Sequence, residues 1–191
     1  MRAVNFSKGA NFAFLALIAA LIYAVSNGIR VNLGILLDPL SASSGVSYAT
    51  LSLILATGQF AYGLSQPLFG LMALRRSYEE VLLTGCAMLA LGLIGTAYSS
   101  SAFSMFIFLG IIFYAATGAL CFGLVLSCMS TLFSARQAII FSGILNAAAG
   151  VGSSFFSPTF VLLLEGFDIS TTLLILSSPV LLMVPISIYI G

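Results

Sequence analysis

Histidine and tryptophan are absent from this 191-residue chain, and charge is scarce: six Lys and Arg stand against five Asp and Glu. Without His there is no His-based catalytic triad, no imidazole proton shuttle and no His-containing metal site. Charged residues make up 6% of the chain, where a water-facing surface takes roughly a quarter, so an ordinary soluble surface is excluded. The three cysteines, Cys86, Cys121 and Cys128, lie inside apolar runs with no close metal-ligand spacing and read as buried free thiols. No cofactor or metal is expected, and no nucleic-acid partner. The acids fall near helix ends, so the interior offers no carboxylate that could carry a proton across a membrane.

What is present is apolar: 61% hydrophobic residues and a mean hydropathy of +1.20. Runs of the ~20 residues needed to cross a hydrocarbon core recur along nearly the whole length, which favours helices over the weaker alternation of a membrane barrel. The expectation is an all-α membrane protein, a single bundle over residues 1–191 with spans at about 11–38, 47–73, 81–98, 102–132, 137–164 and 170–190. Arg2 and Lys8 ahead of the apolar run 12–25 also fit a secretory signal. The helical pattern continues past Asn27 to Leu37, however, and an uncleaved first helix explains more. Pro39 and the run Ser-Ala-Ser-Ser-Gly are expected to end it.

Placing both termini in the cytoplasm, most simply at a bacterial inner membrane, puts Arg2, Lys8, Arg75, Arg76 and Arg136 on the inner side and leaves Arg30 as the one basic residue in the outer half. Helices 1–3 and 4–6 echo one another: Gly28 and Gly34 in helix 1 against Gly118 and Gly123 in helix 4, and Pro67 against Pro158 near the ends of helices 2 and 5. With three helices per unit, the second unit starts on the opposite face of the membrane, giving an inverted 3+3 repeat of the kind found in secondary transporters.

Arg30 is the first candidate site residue, because a guanidinium at membrane depth costs at least about 2.5 to 3.5 kcal/mol. Tyr23, Asn27, Arg30 and Gly34 share one face of helix 1, and at 1.5 Å per residue Arg30 lies about 8 Å outward of the helix midpoint. The alternative is that its stem snorkels to the outer interface. On helix 2, Gln59, Tyr62, Gly63 and Gln66 share a face able to hydrogen-bond either a polar solute or a neighbouring helix. Helix 5 carries a stripe of small and polar residues suited to packing, with Asn146 as its candidate site residue; Tyr114, Thr117 and Cys121 form a similar face on helix 4.

The order Gly28-Ile29-Arg30, then Gly34, Leu-Asp-Pro-Leu at 37–40, Leu51-Ser52, GLSQPLFG at 63–70 and Arg75 resembles the amino-terminal half of a major facilitator superfamily transporter, nearest to the bacterial monocarboxylate-transporter-like porters. GILNAAAGVGSSFFSP at 143–158 is similar to that group's glycine-rich fifth helix, and Glu165-Gly166-Phe167 stands where the group has a Gly-Trp pair. The family's loop after helix 2 reads Gly-x-x-x-Asp-Arg-x-Gly-Arg-Arg and forms part of the inward gate. Here Gly70 and Arg75 are kept, but Leu74 replaces the Asp and Ser77 the Gly, and the acids Glu79 and Glu80 follow where the family is basic. The family has twelve helices in two halves, and six are expected here.

The resemblance implies alternating-access transport of small organic anions such as monocarboxylates. Arg30 would pair with a carboxylate, with Asn27, Tyr23, Gln59, Tyr62 and Asn146 around it and Gly70 and Arg75 in the gate. The partners would be the substrate, the bilayer and a second six-helix bundle, either a missing carboxy-terminal half or another copy. An enzyme is not expected. The alternative is a truncated or non-transporting membrane subunit that serves as an assembly or scaffold partner. The charge asymmetry predicts that a membrane-impermeant thiol reagent applied from outside will label cysteines introduced at Ser100 and Asp168, and will leave those at Ser77 and Arg136 unlabelled. Outside labelling at Ser77 would reverse the topology.

Overall fold

The computed structural model describes the backbone of residues 8–190 and the side chains of residues 12–184. Arg2 and the side chain of Lys8, which carry part of the topological argument, lie outside the described residues. All regular structure among the described residues is helical and falls into six rods. The first, α1, begins as Lys8–Asn32, tightens into a 3-10 turn at Leu33–Leu36 and resumes as Leu37–Ser44. Then come α2 (Tyr48–Arg75) and α3 (Tyr78–Ala97). Four pieces make up α4: Ala102–Met105, the π-helical Phe106–Phe113, Tyr114–Ala119 and, after a break at Leu120 and Cys121, Phe122–Ser130. The last rods are α5 (Ala135–Gly166) and α6 (Ile169–Ile190).

Four stretches, Phe12–Ser44, Tyr78–Ala97, Ala102–Ser130 and Ala135–Gly166, are long and apolar enough to cross a membrane, which makes this an all-helical membrane protein. At 28 residues α2 has the length, but Gln59, Gln66 and Pro67 lower its apolarity. The described apolar part of α6 is the shorter Ile169–Val184.

Side chains at the starts of the rods occupy the orphan amides there. Ser47 accepts from the Thr50 amide at 3.2 Å and Ser77 from the Glu80 amide at 3.1 Å. Ser134 and Gln137 form a reciprocal capping box, with Gln137 Oε1 accepting from the Ser134 amide at 3.0 Å. At the start of α6, Asp168 accepts from the Thr171 hydroxyl at 2.6 Å and the Thr171 amide at 3.1 Å. Those hydrogen bonds, the hydroxyl's first, hold its carboxyl below the usual range. A depressed carboxyl stabilises the fold fully above its unfolded value, and that contribution is lost as pH falls through the lowered one.

Two expectations are corrected. Pro39 does not end the first rod: it falls in the first turn of Leu37–Ser44, where its missing amide would have no intrahelical partner anyway. The rod ends at Gly45, whose φ of 72° is the left-handed cap that glycine adopts without strain and whose amide donates to the Ser41 carbonyl. The fourth span is not a continuous helix over 102–132, being π-helical in its first half and broken at Leu120 and Cys121. Pro67 and Pro158 lie inside α2 and α5.

Close packing pairs α1 with α5, α2 with α4 and α3 with α6, and α3 also packs along α4. Glycine makes the tightest approaches. A Cβ on Gly28 would lie 2.8 Å from the Gly152 carbonyl oxygen and 2.6 Å from the Phe156 ring, and one on Gly152 would overlap the Ala24 carbonyl. In the second pair, a Cβ on Gly58 would enter the Tyr114 ring, and one on Gly118 would overlap the Ser65 hydroxyl and sit 3.1 Å from the Tyr62 carbonyl. The break divides α4 between two groups: the part up to Ala119 packs on α2 and α3, while Phe122–Ser130 packs on α5 and α1. At one end of the bundle Phe12 meets Phe133, ring centroids 4.8 Å apart, and at the other Ser170 donates to the Ala97 carbonyl at 2.9 Å. The start of α1 thus shares an end with the α4–α5 turn, and the end of α3 shares the opposite one with the start of α6.

Gly152→Ala is expected to destabilise the fold by about 1–3 kcal/mol, because its methyl meets backbone that cannot rotate away. Gly150→Ala, two residues along and open within 4 Å, is expected to be neutral or stabilising by up to about 1 kcal/mol. Unfolding of the two variants in the same detergent tests the contrast.

Candidate functional site

The polar cluster forms where α1, α2 and α4 converge. Arg30 lies half-buried in the last turns of Lys8–Asn32. Its Nη2 donates to Asn27 Oδ1 at 2.9 Å, one helical turn earlier, and its Nη1 donates to Gln59 Oε1 of α2 at 3.1 Å. The guanidinium carbon stands 4.3 Å from the centroid of the Tyr62 ring, one turn along α2 from Gln59, within the range of a cation–π contact. Tyr23, Tyr114 and Cys121 are also close enough to Arg30 to feel its charge. Tyr23 is steadied by an edge contact with Phe122, ring centroids 6.0 Å apart.

Local packing explains these positions. Gly28 seats α1 on α5, so that the face bearing Tyr23, Asn27 and Arg30 turns away from that contact. Gly58 lets α2 lie against Tyr114, which brings its neighbours Gln59 and Tyr62 beside α4. Opposite Arg30 is the break in α4, where Cys121 is extended (φ −74°, ψ 164°). Irregular backbone at membrane depth is tolerated only when shielded by protein or lining a cavity, and Leu120 at 0% and Cys121 at 4% exposure are shielded.

Among the described residues no carboxylate reaches Arg30, and the one ion pair is the exposed Arg76–Glu80, 3.3 Å apart across the turn between α2 and α3. Arg30 is therefore a cation held by two neutral amide oxygens and an aromatic face. Its remaining N–H groups make no hydrogen bond among the described residues.

Of the residues singled out from sequence, the structure brings Arg30, Asn27, Gln59 and Tyr62 into contact and sets Tyr23 beside them. Asn146 is not brought into the cluster: it is exposed, and its amide donates to the Ser142 carbonyl of its own helix at 3.0 Å. Gly70 and Arg75 both lie within α2. A Cβ on Gly70 would meet nothing within 4 Å, and Arg75 is exposed in the last helical turn, where a cation suits the negative helix end.

Sequence reasoning missed Asn32. Its amide donates to the Gly28 carbonyl at 2.8 Å and to the Ser153 carbonyl of α5 at 3.0 Å, fastening α1 to α5 just before the 3-10 turn. An Asn one turn beyond a packing glycine was the signal available.

A surface groove of about 430 Å³ is apolar and lies on the opposite face of α1, between Leu21 and Val25, Val151 and Phe155 of α5, and Ile175 and Pro179 of α6. Its lining carries no charged residue, and its hydroxyls, Thr159 and Ser178, donate to carbonyls of their own helices, so the polar cluster is the candidate site.

No protein-family model matches the chain, and no curated protein sequence matches it significantly. The class defined by the fold is an all-helical membrane protein whose one embedded cation has no internal counter-ion among the described residues.

Tyr62→Leu should remove the aromatic face over Arg30 and lower stability by about 0.5–2 kcal/mol. Tyr62→Phe keeps the face and should cost less than about 0.5 kcal/mol, both measured by unfolding in detergent.

Proposed function

We propose that this chain is a six-helix transporter bundle, one half of an alternating-access porter for small organic anions such as monocarboxylates, related to the major facilitator superfamily and seated in a bacterial inner membrane. The observation that carries the reading is the state of Arg30. A guanidinium embedded among apolar helices, held by Asn27 and Gln59 and facing no acid, is oriented for a carboxylate but not neutralised. Bidentate pairing with a carboxylate would satisfy charge and geometry together.

The helix pairing supports an inverted 3+3 repeat. Exchanging helices 1, 2 and 3 with 4, 5 and 6 carries the α1–α5 contact onto α4–α2 and the α3–α6 contact onto itself. The glycines correspond too: Gly28 meets positions 152 and 156, and Gly118 meets positions 62 and 65. Helix faces that repeat this way have the same packing problem solved twice. The second bundle is required because Gln59 and Asn146 are exposed on α2 and α5, where hydrocarbon alone would leave polar groups unsatisfied. It is either another copy of this chain or a separate carboxy-terminal half.

Uptake of labelled pyruvate, lactate and benzoate by vesicles holding the complete assembly tests the reading. Arg30→Gln is expected to abolish uptake and Arg30→Lys, which keeps charge but not the planar fork, to reduce it by about tenfold or more. If Arg30→Gln transports like the wild type, Arg30 is not the anion site, the anion-porter assignment falls, and Arg30 is a side chain that snorkels to the outer interface.

A further inference from the structure

Although consecutive in sequence, α1 and α2 hardly approach each other through their main straight segments; their close neighbours are α5 and α4 respectively. Arg30 spans the gap. One terminal nitrogen stays on its own helix with Asn27 at 2.9 Å, while the other crosses to Gln59 at 3.1 Å, and the guanidinium carbon stands over the Tyr62 ring, 4.3 Å from its centroid. The crossing bond is the longer of the two and is exposed, whereas the bond to Asn27 is partly buried.

A carboxylate accepts from a guanidinium about twice as strongly as a neutral amide oxygen does. An anion arriving at Arg30 therefore competes with the amide oxygens already there, and the exposed acceptor on the other helix yields first. Once displaced, Gln59 is not stranded. Half a turn about its terminal bond replaces an acceptor oxygen with an NH₂ donor, so the same side chain that accepts from Arg30 in the empty site can donate to the anion in the filled one.

We propose that the Arg30–Gln59 hydrogen bond is an empty-site latch joining α1 to α2, and that a carboxylate opens it by taking the place of Gln59 Oε1 on the guanidinium. The proposal rests on Arg30 being an anion site. It assigns Gln59 two states, and it makes the separation of α1 and α2 a readout of occupancy. The latch also accounts for how an embedded cation stays satisfied between turnovers without a carboxylate to compete permanently with substrate.

Nitroxide labels on cysteines introduced at Leu21 and Leu68 provide the test. Both sites are exposed, at 49% and 63%, and each lies nine residues from its latch partner. The native thiols, buried at 0–4% exposure, are left in place. The full chain in lipid nanodiscs is measured alone and with pyruvate, benzoate or uncharged methyl benzoate, and carboxylate binding is followed by calorimetry on the same samples. The wild type should move to a longer or broader distance distribution with either carboxylate and not with the ester. Gln59→Leu should show that distribution without ligand. Gln59→Glu supplies a permanent internal carboxylate, so it should hold the unliganded distance throughout and lose carboxylate affinity by about tenfold or more. Carboxylate binding that depends on Arg30 but leaves the wild-type distance unchanged would overturn the latch and keep the anion site. An unliganded Gln59→Leu distance equal to the wild type's would overturn the latch whatever binds. Absence of carboxylate binding in the wild type would overturn the anion site, and the latch's trigger with it.

Discussion

A guanidinium cannot shed its charge, since it stays protonated at any accessible pH, so a chain that places one among apolar helices must satisfy it as a cation. Here that is done without an acid. Two amide oxygens and a tyrosine face surround Arg30, and the groups that supply them come from two helices packed on different neighbours. The rest of the bundle serves that arrangement: Gly28 holds α1 to α5, Gly58 holds α2 to α4, and the two pairs are thereby brought to a separation one arginine can span.

The energetic logic differs from that of a buried salt bridge. An internal carboxylate would neutralise Arg30 more strongly but would occupy the same donors that a bound anion needs. Amide oxygens are weaker acceptors and carry no charge, so they lower the cost of the empty state while leaving a net positive site. The aromatic face adds attraction without taking up any of the N–H donors of the fork.

How much of this was legible beforehand depended on the range of the interaction. The contact between Asn27 and Arg30 follows from three-residue spacing on one helix, and the shared face of Gln59 and Tyr62 from the same periodicity. Their meeting across helices was a plausible pairing of the two polar faces, and it needed the glycine contacts to become a geometry. The helix starts at Ser77 and Ser134 lay three or four residues before the apolar onset, because capping is set by local polar residues that a hydropathy window averages away. Pro39 misled for a related reason: a proline that ends one helix and one that begins another look alike unless the 3-10 turn before it is known. The break at Leu120 and Cys121 carries no proline and sits in one of the most apolar stretches of the chain, so nothing in the pattern marked it. Asn146 was judged by its neighbours on a small-residue stripe, but its face of α5 is not the one that meets α1. Arg2 and Lys8 entered the topology by charge alone, which requires no coordinates.

The divided α4 has a mechanical consequence. Its first part is keyed into α2 and α3, its last part mainly into α5 and α1, and the two are spliced at Leu120 and Cys121, the residues that cap the pieces on either side. A rod of continuous helix would transmit a twist at one end to the other almost undiminished. A splice instead concentrates compliance in the dihedral angles of Leu120 and Cys121, so the two packing groups can shift by small rotations there without bending the helices on either side. The joint is shielded by protein, with Leu120 at 0% and Cys121 at 4% exposure, so any such rotation takes place inside the bundle.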